Sequence, residues 1–183
     1  MLFVAALAGV SGTGALAQSS ATGGKDVMAS KSLSDDDREF MIKAAGGGLF
    51  EIEASKMAAV KSQNAEVKRY AAMLVKDHTA ASETLKTIAV AKPLRLPLDM
   101  PDGKKADLNM LSKATPAEFD EKYIKIVGLE DHQTDIKLFE AAVAKGKDPQ
   151  VKDFAAKTLP KLRAHLAAAE KLAAGGGASG GAK

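Results

Sequence analysis

Apolar residues recur at alternating steps of four and three through four long stretches of the chain, the period of a helix that buries one face. From residue 65 to about 91 the inward positions are Val67, Ala71, Leu74, His78, Ala81, Leu85 and Ile88, and His78 is their only polar member. A second stripe, Val151, Ala155, Thr158, Leu162, His165, Ala169 and Leu172, carries Thr158 and His165 as its polar members. A third, nearer the start of the chain, reads Phe40, Ala44, Gly47, Glu51, Ala54 and Ala58, so Glu51 faces inward among small residues. The remaining stretch is less regular. Phe119, Tyr123 and Ile126 begin one stripe, and Leu129, His132, Ile136, Phe139 and Val143 continue a slightly rotated one beyond Gly128.

Helix punctuation agrees with these stripes. Ser34 is a candidate N-cap, followed by Asp35, Asp36 and Asp37 where carboxylates complement the helix dipole. Asn64 caps the second helix, which Pro93 ends. Thr115-Pro116-Ala117-Glu118 combines a capping box with proline at the first helical position, opening a third helix that stops at Gly146. Asp148-Pro149 opens the fourth, which runs to Ala174 before Gly175-Gly176-Gly177.

The connections select a topology. Short joints between helices one and two, and between three and four, predict two antiparallel hairpins. Lys92 to Ala114 holds Pro93, Pro97 and Pro101 and a predicted short helix near Ala106 to Ser112. Helices of this length span ~40 Å, and the linker can reach ~70 Å when extended. It can therefore return along the whole bundle, which points to an all-α, ferritin-like four-helix bundle with a long crossover between helices two and three.

Composition narrows the setting. A chain of 183 residues with 46% hydrophobic content builds one domain, read here as residues 34–174. Lys and Arg number 26 against 23 acids, interspersed along every helix, and aromatics are 4% with no Trp. That surface offers neither a basic face nor stacking platforms, so no nucleic-acid partner is expected. Leu2 to Ala17 is uncharged and ends in Ala15-Leu16-Ala17, the pattern of a secretory signal peptide over residues 1–17, although the charged segment that usually precedes one is missing and suggests a start further upstream. Residues 18–33 read as a disordered leader and 175–183 as a Gly-rich disordered tail. The expected setting is periplasmic or secreted, with no stable membrane insertion once the signal is cleaved. With no cysteine in the chain, an exported domain must stand on its core. The sequence names no protein partner, and a monomer or small homo-oligomer suits it equally.

The candidate chemistry lies in the polar members of the stripes. Counted from the hairpin loops of a crossover bundle, Glu51, His78, His132 and His165 fall at depths within ~6 Å of one another, so all four can meet in one layer. A buried carboxylate and three imidazoles are costly without partners. Mutual hydrogen bonding meets that need, and so does one divalent transition-metal ion, since Glu and neutral His are ligands of zinc, iron, manganese and copper. A single core histidine is ordinarily a satisfied structural residue, so both readings stand. The Glu-x-x-His pairs of di-iron bundles are absent, because Val75, Leu129 and Leu162 stand three before the histidines. Asp77 and Asp131 precede His78 and His132 but point about 100° away on a helix, suiting supporting positions better than ligation. Met41, Met57, Met73, Met100 and Met110 are scattered rather than gathered into a copper-binding tract.

Two features break the helical pattern. Gly46-Gly47-Gly48 inside helix one costs about 1 kcal/mol per glycine relative to alanine, and is read as a packing notch or a local bulge beside Glu51. Pro160 is expected to kink helix four and free the carbonyl of Ala156.

The ordered set Phe40, Ala44-Ala45-Gly46-Gly47-Gly48-Leu49-Phe50-Glu51-Ile52-Glu53, Asp77-His78, Phe119-Asp120-x-x-Tyr123, Asp131-His132, Thr158-Leu159-Pro160 and His165-Leu166 resembles the exported bacterial family called domain of unknown function 4142, over roughly Ser34 to Ala173. The resemblance implies a ferritin-like four-helix fold and export, and it supplies no catalytic residues. No nucleophile elbow, phosphate loop or haem attachment motif is present. A metal-binding protein, or a metal-free bundle serving a structural, stress-associated or interaction role, is favoured over an enzyme.

Overall fold

The computed structural model describes residues 33–175, and the expected signal peptide, nearly all of the leader and the tail beyond Gly175 lie outside them. The described chain is helical throughout, with no strand: α1 (Asp35–Lys61), α2 (Ala65–Val90), α3 (Asp102–Lys113), α4 (Pro116–Tyr123), a π-helical segment (Ile124–Asp131), α5 (His132–Lys145) and α6 (Pro149–Gly175). None of these helices is long and apolar enough to cross a membrane.

The expected caps form. Ser34 Oγ accepts from the Asp37 N–H and Asn64 Oδ1 from the Glu66 N–H. Thr115 and Glu118 close the capping box ahead of α4. Contacts at the helix ends fix the topology. Asp37 accepts the backbone N–H groups of Lys147 and Asp148 in the α5–α6 turn, at 3.0–3.1 Å. Lys92, just past α2, pairs with Asp148 at 2.5 Å, so the end of α2 and the α5–α6 turn share one end of the bundle. At the other end the Lys61 ammonium caps the carbonyls of Leu111, Ser112 and Ala114 where α3 meets α4. Hence α2 and the α4–α5 helix run parallel, and the intervening segment crosses the bundle as the ferritin-like arrangement requires. The short helix in that segment is longer than expected and packs against α1.

The third long helix departs from the expected continuous α-helix. Its middle widens into the π segment, which accommodates an extra residue and turns the following face. This is the cause of the rotated stripe. Val127 and Gly128 become buried, and Asp131, His132 and Asp135 come inward together, while Ile126 and Leu129, expected to face the core, are only half-buried. Gly128 lies so close to α6 that an added Cβ would stand 2.7 Å from the Ala169 Cβ. α6 continues as one helix through Pro160.

In α1 the three glycines differ, and no bulge forms. A Cβ on Gly46 would sit 2.9 Å from Pro101 Cδ, so Gly46 is the notch that seats the start of the crossover helix. A Cβ on Gly48 would meet nothing within 4 Å. Gly48→Ala is therefore expected to stabilise the fold by about 1 kcal/mol through helix propensity. Gly46→Ala should destabilise it, because the rigid proline ring must move. Urea midpoints of the two variants that shift in the same direction would contradict this assignment.

Two apolar clusters fill the bundle. One, built on Phe50, Leu74, Leu111, Phe119, Tyr123 and Val127, lies toward the α1–α2 turn, and the other, built on Phe40, Met41, Leu85, Phe139, Phe154 and Leu162, lies toward the α5–α6 turn. A polar layer separates them.

Candidate metal centre

The layer contains all four residues anticipated from the stripes, one from each long helix. Glu51 and His132 are fully buried, and His78 and His165 nearly so, at 6% and 2% exposure. The three rings pack edge-to-face or tilted with centroids 5.3–5.6 Å apart. One nitrogen from each histidine lies within 4.8 Å of the others.

The outer side of each ring meets oxygen. His132 Nδ1 lies 2.7 Å from the Val127 carbonyl, which can only accept, so Nδ1 carries the proton. His165 Nε2 lies 3.0 Å from Asp77 Oδ2. Burial works to raise the Asp77 carboxyl, but the hydrogen bond from His165 and the Lys161 ammonium outweigh it and hold the group below the usual carboxylate range. Asp77 is therefore an acceptor, and His165 Nε2 carries the proton. His78 Nδ1 approaches Glu51 Oε2 at 2.9 Å, without the alignment of a hydrogen bond.

These assignments leave the inner nitrogens in conflict. His132 Nε2 and His165 Nδ1 face each other at 3.2 Å. With both outer nitrogens protonated, each neutral ring presents a lone pair to the other. Only a proton or a cation between them makes that contact favourable. A shared proton is disfavoured, because burial pushes His132 and His165 below the ordinary imidazole range and His78 down to about 4. His78 Nε2 and both Glu51 oxygens have no aligned hydrogen-bond partner, although buried polar atoms rarely lack one.

Carboxylates surround the layer more closely than its stripes indicated. Asp135 is buried beside Glu51, under Gly47, and burial lifts it well above the usual range. Burial likewise pushes Glu51 up to about 8 and raises Asp131, which pairs with Lys104 from the crossover helix. Lys104 also sits 4.9 Å over the Phe50 ring. Tyr123 hydrogen-bonds Ser55 at 2.8 Å between the layer and the first apolar cluster. Asp135, one turn after His132 and facing Gly47, could have been found from its i, i+3 spacing to the histidine. Asp131 and Lys104 could not, since one depends on the π segment and the other on a segment that reads as linker.

Residues 22–172 match the profile of DUF4142, a domain of unknown function. The chain belongs to the DUF4142 family. Solved structures with the same fold include a DUF305 fragment from Deinococcus radiodurans, at 12% identity and TM-score 0.67, covering 78% of this DUF4142 chain and 98% of the fragment. A DUF305 protein from Streptomyces coelicolor, described as secreted, aligns at 15% identity and TM-score 0.68 over 81% of this chain and 96% of that one. CopM in the Cu(II)-bound form aligns at 17% identity and TM-score 0.64 over 75% and 95%. At these identities the likeness is one of fold. The chain matches no curated protein.

Proposed function

We propose that this DUF4142 protein is an exported metal-binding protein that takes up one divalent transition-metal ion through His78, His132 and His165. The observation that carries this reading is the convergence of three buried imidazole nitrogens, two of them with lone pairs set face to face by acceptors fixed behind their rings. Oxygen acceptors behind ligating histidines fix the tautomer and raise basicity, the usual support of a metal centre. Glu51, a candidate ligand in the sequence, takes the place behind His78 in this reading, as Asp77 does behind His165. A nitrogen-rich donor set suits Cu(II) and Zn(II), and the Cu(II)-bound state of CopM supports copper first. Export agrees with the uncharged, Ala-rich start of the chain and with the secreted description of the Streptomyces coelicolor protein.

Metal analysis of protein purified without a histidine tag, reconstituted separately with Cu(II), Zn(II), Fe(II) and Mn(II) and then desalted, tests the proposal. About one equivalent of Cu(II) or Zn(II) per chain is expected. Retention of none of the four overturns it. A metal-free polar network is the second reading, favoured by the His132–His165 distance of 3.2 Å, which is also that of a hydrogen bond. It requires one of the two rings to give up its outer hydrogen bond.

A further inference from the structure

The three histidines are backed by three different acceptors. Behind His132 stands the neutral Val127 carbonyl and behind His78 the carboxylate of Glu51, and both Val127 and Glu51 are fully buried. Behind His165 stands Asp77, whose side chain is 22% exposed and lines a groove of about 360 Å³ between α2 and α6. Asp77 immediately precedes His78, and one step along a helix turns the side chain by about 100°. Hence α2 aims His78 at the cluster and Asp77 across to α6. On α6, Lys161 lies one turn before His165 on the same face, and its ammonium meets Asp77 Oδ1 at 3.4 Å while His165 holds Oδ2. Lys161 is 54% exposed, and the neighbouring Lys157 is paired with Asp153 at 2.7 Å. An unbroken line therefore runs from an exposed ammonium, through one carboxylate, to a ring whose other nitrogen faces the cluster.

On the metal reading above, we infer that Lys161 is a positioning residue that sets the affinity of the centre from the surface: it weakens the pull of Asp77 on the His165 Nε2 proton and so makes His165 Nδ1 a poorer donor to the ion. A carboxylate behind a ligating histidine raises the basicity of the ring. An ammonium on the same carboxylate opposes that effect, since the negative charge is then shared between the ammonium and the ring N–H. The ion pair itself adds little to the fold, because solvent screens pairs at this exposure. Its consequence lies in the site. The acceptors behind His132 and His78 are enclosed, so His165 is the ligand that surface charge reaches. The centre holds its ion less tightly than three fully supported imidazoles would, which favours exchange over permanent retention.

Zn(II) affinities of the wild type, Lys161→Met, Asp77→Asn and the double variant test this, measured by competition with a chromophoric chelator at low ionic strength, where surface charge is least screened. Asp77→Asn keeps an acceptor for His165 Nε2 but removes its charge, and should weaken binding about tenfold or more. Lys161→Met should act in the opposite direction and tighten binding severalfold, and Lys161→Gln should do the same. The double variant should match Asp77→Asn, because Lys161 acts through Asp77 alone. Lys161 variants that bind zinc as the wild type does, or more weakly, would overturn the inference and leave the pair as a surface clamp. Equal tightening by Lys161→Met with Asp77 present and with Asp77 replaced would mean that the lysine acts on the ion directly, which also overturns it. A wild type that binds no zinc overturns the metal reading itself.

Discussion

Zn(II) at a hundredfold excess over its Kd is expected to stabilise the native protein by ~2.7 kcal/mol, a rise of about 8 °C in Tm for a domain of this size, and His132→Ala is expected to abolish that increment. The unfolded chain does not hold three imidazoles together, so the ion binds the native state selectively. The protein has only three histidines, and all three lie in the layer, so the variant retains no alternative histidine trio. In chelator the same substitution should cost ~1–3 kcal/mol, because His165 and the Val127 carbonyl lose their partner and a cavity remains. Thermal melts with zinc and with chelator separate the two effects. A zinc increment of equal size in wild type and variant contradicts binding in the layer.

The second large effect concerns the crossover. Lys104→Met should destabilise the fold by about 3 kcal/mol, because it removes the counter-ion of Asp131, a carboxylate only 3% exposed. Breaking such a pair strands a buried charge, which outweighs the loss of the Coulomb attraction itself. The deficit should depend on pH in a defined direction. Burial already raises Asp131 above the ordinary carboxylate range, and loss of the ammonium that opposes that rise raises it further. A group with a raised native pKa contributes its stability in the protonated form, below the unfolded value near 3.9, and loses it as pH rises through the native value. The variant should therefore approach wild type in mild acid and fall behind it at pH 8. Urea denaturation at pH 5 and pH 8 measures the difference, and a deficit independent of pH would show that Lys104 acts through packing on Phe50 instead.

The architecture was legible because each of its determinants is local. Caps at Ser34, Asn64 and Thr115, the stop at Gly146 and the stripes between them define helices without reference to the rest of the fold, and the linker is long enough to cross the bundle, which a simple up-down bundle would not need. The four polar stripe members were legible for the same reason, since His78, His165 and Glu51 interrupt otherwise apolar faces. His132 emerged even across the π segment, because the stripe resumes around it. What stayed hidden depends on relations between distant segments. Asp131 reads as a surface acid until the wide turn rotates it inward, and Lys104 reads as a linker lysine until the crossover lays it against Asp131. Asp37 shows the same limit. Its position suits the helix dipole, yet its carboxylate also ties α1 to the Lys147–Asp148 turn more than a hundred residues later. Gly46 and Gly48 are alike in sequence, and only the approach of Pro101 tells them apart.

The most direct test of the central claim, that the imidazole nitrogens converge on a single ion, is long-range proton–nitrogen NMR of the histidine rings before and after one equivalent of Zn(II). Before metal, His132 should be protonated on Nδ1 and His165 on Nε2, as the Val127 carbonyl and Asp77 dictate. After metal, His132 Nε2, His165 Nδ1 and the His78 nitrogen that does not face Glu51 should shift together at one equivalent, with the outer protons of His132 and His165 retained. Ring nitrogens that do not respond to zinc, or a response confined to one histidine, would contradict the account.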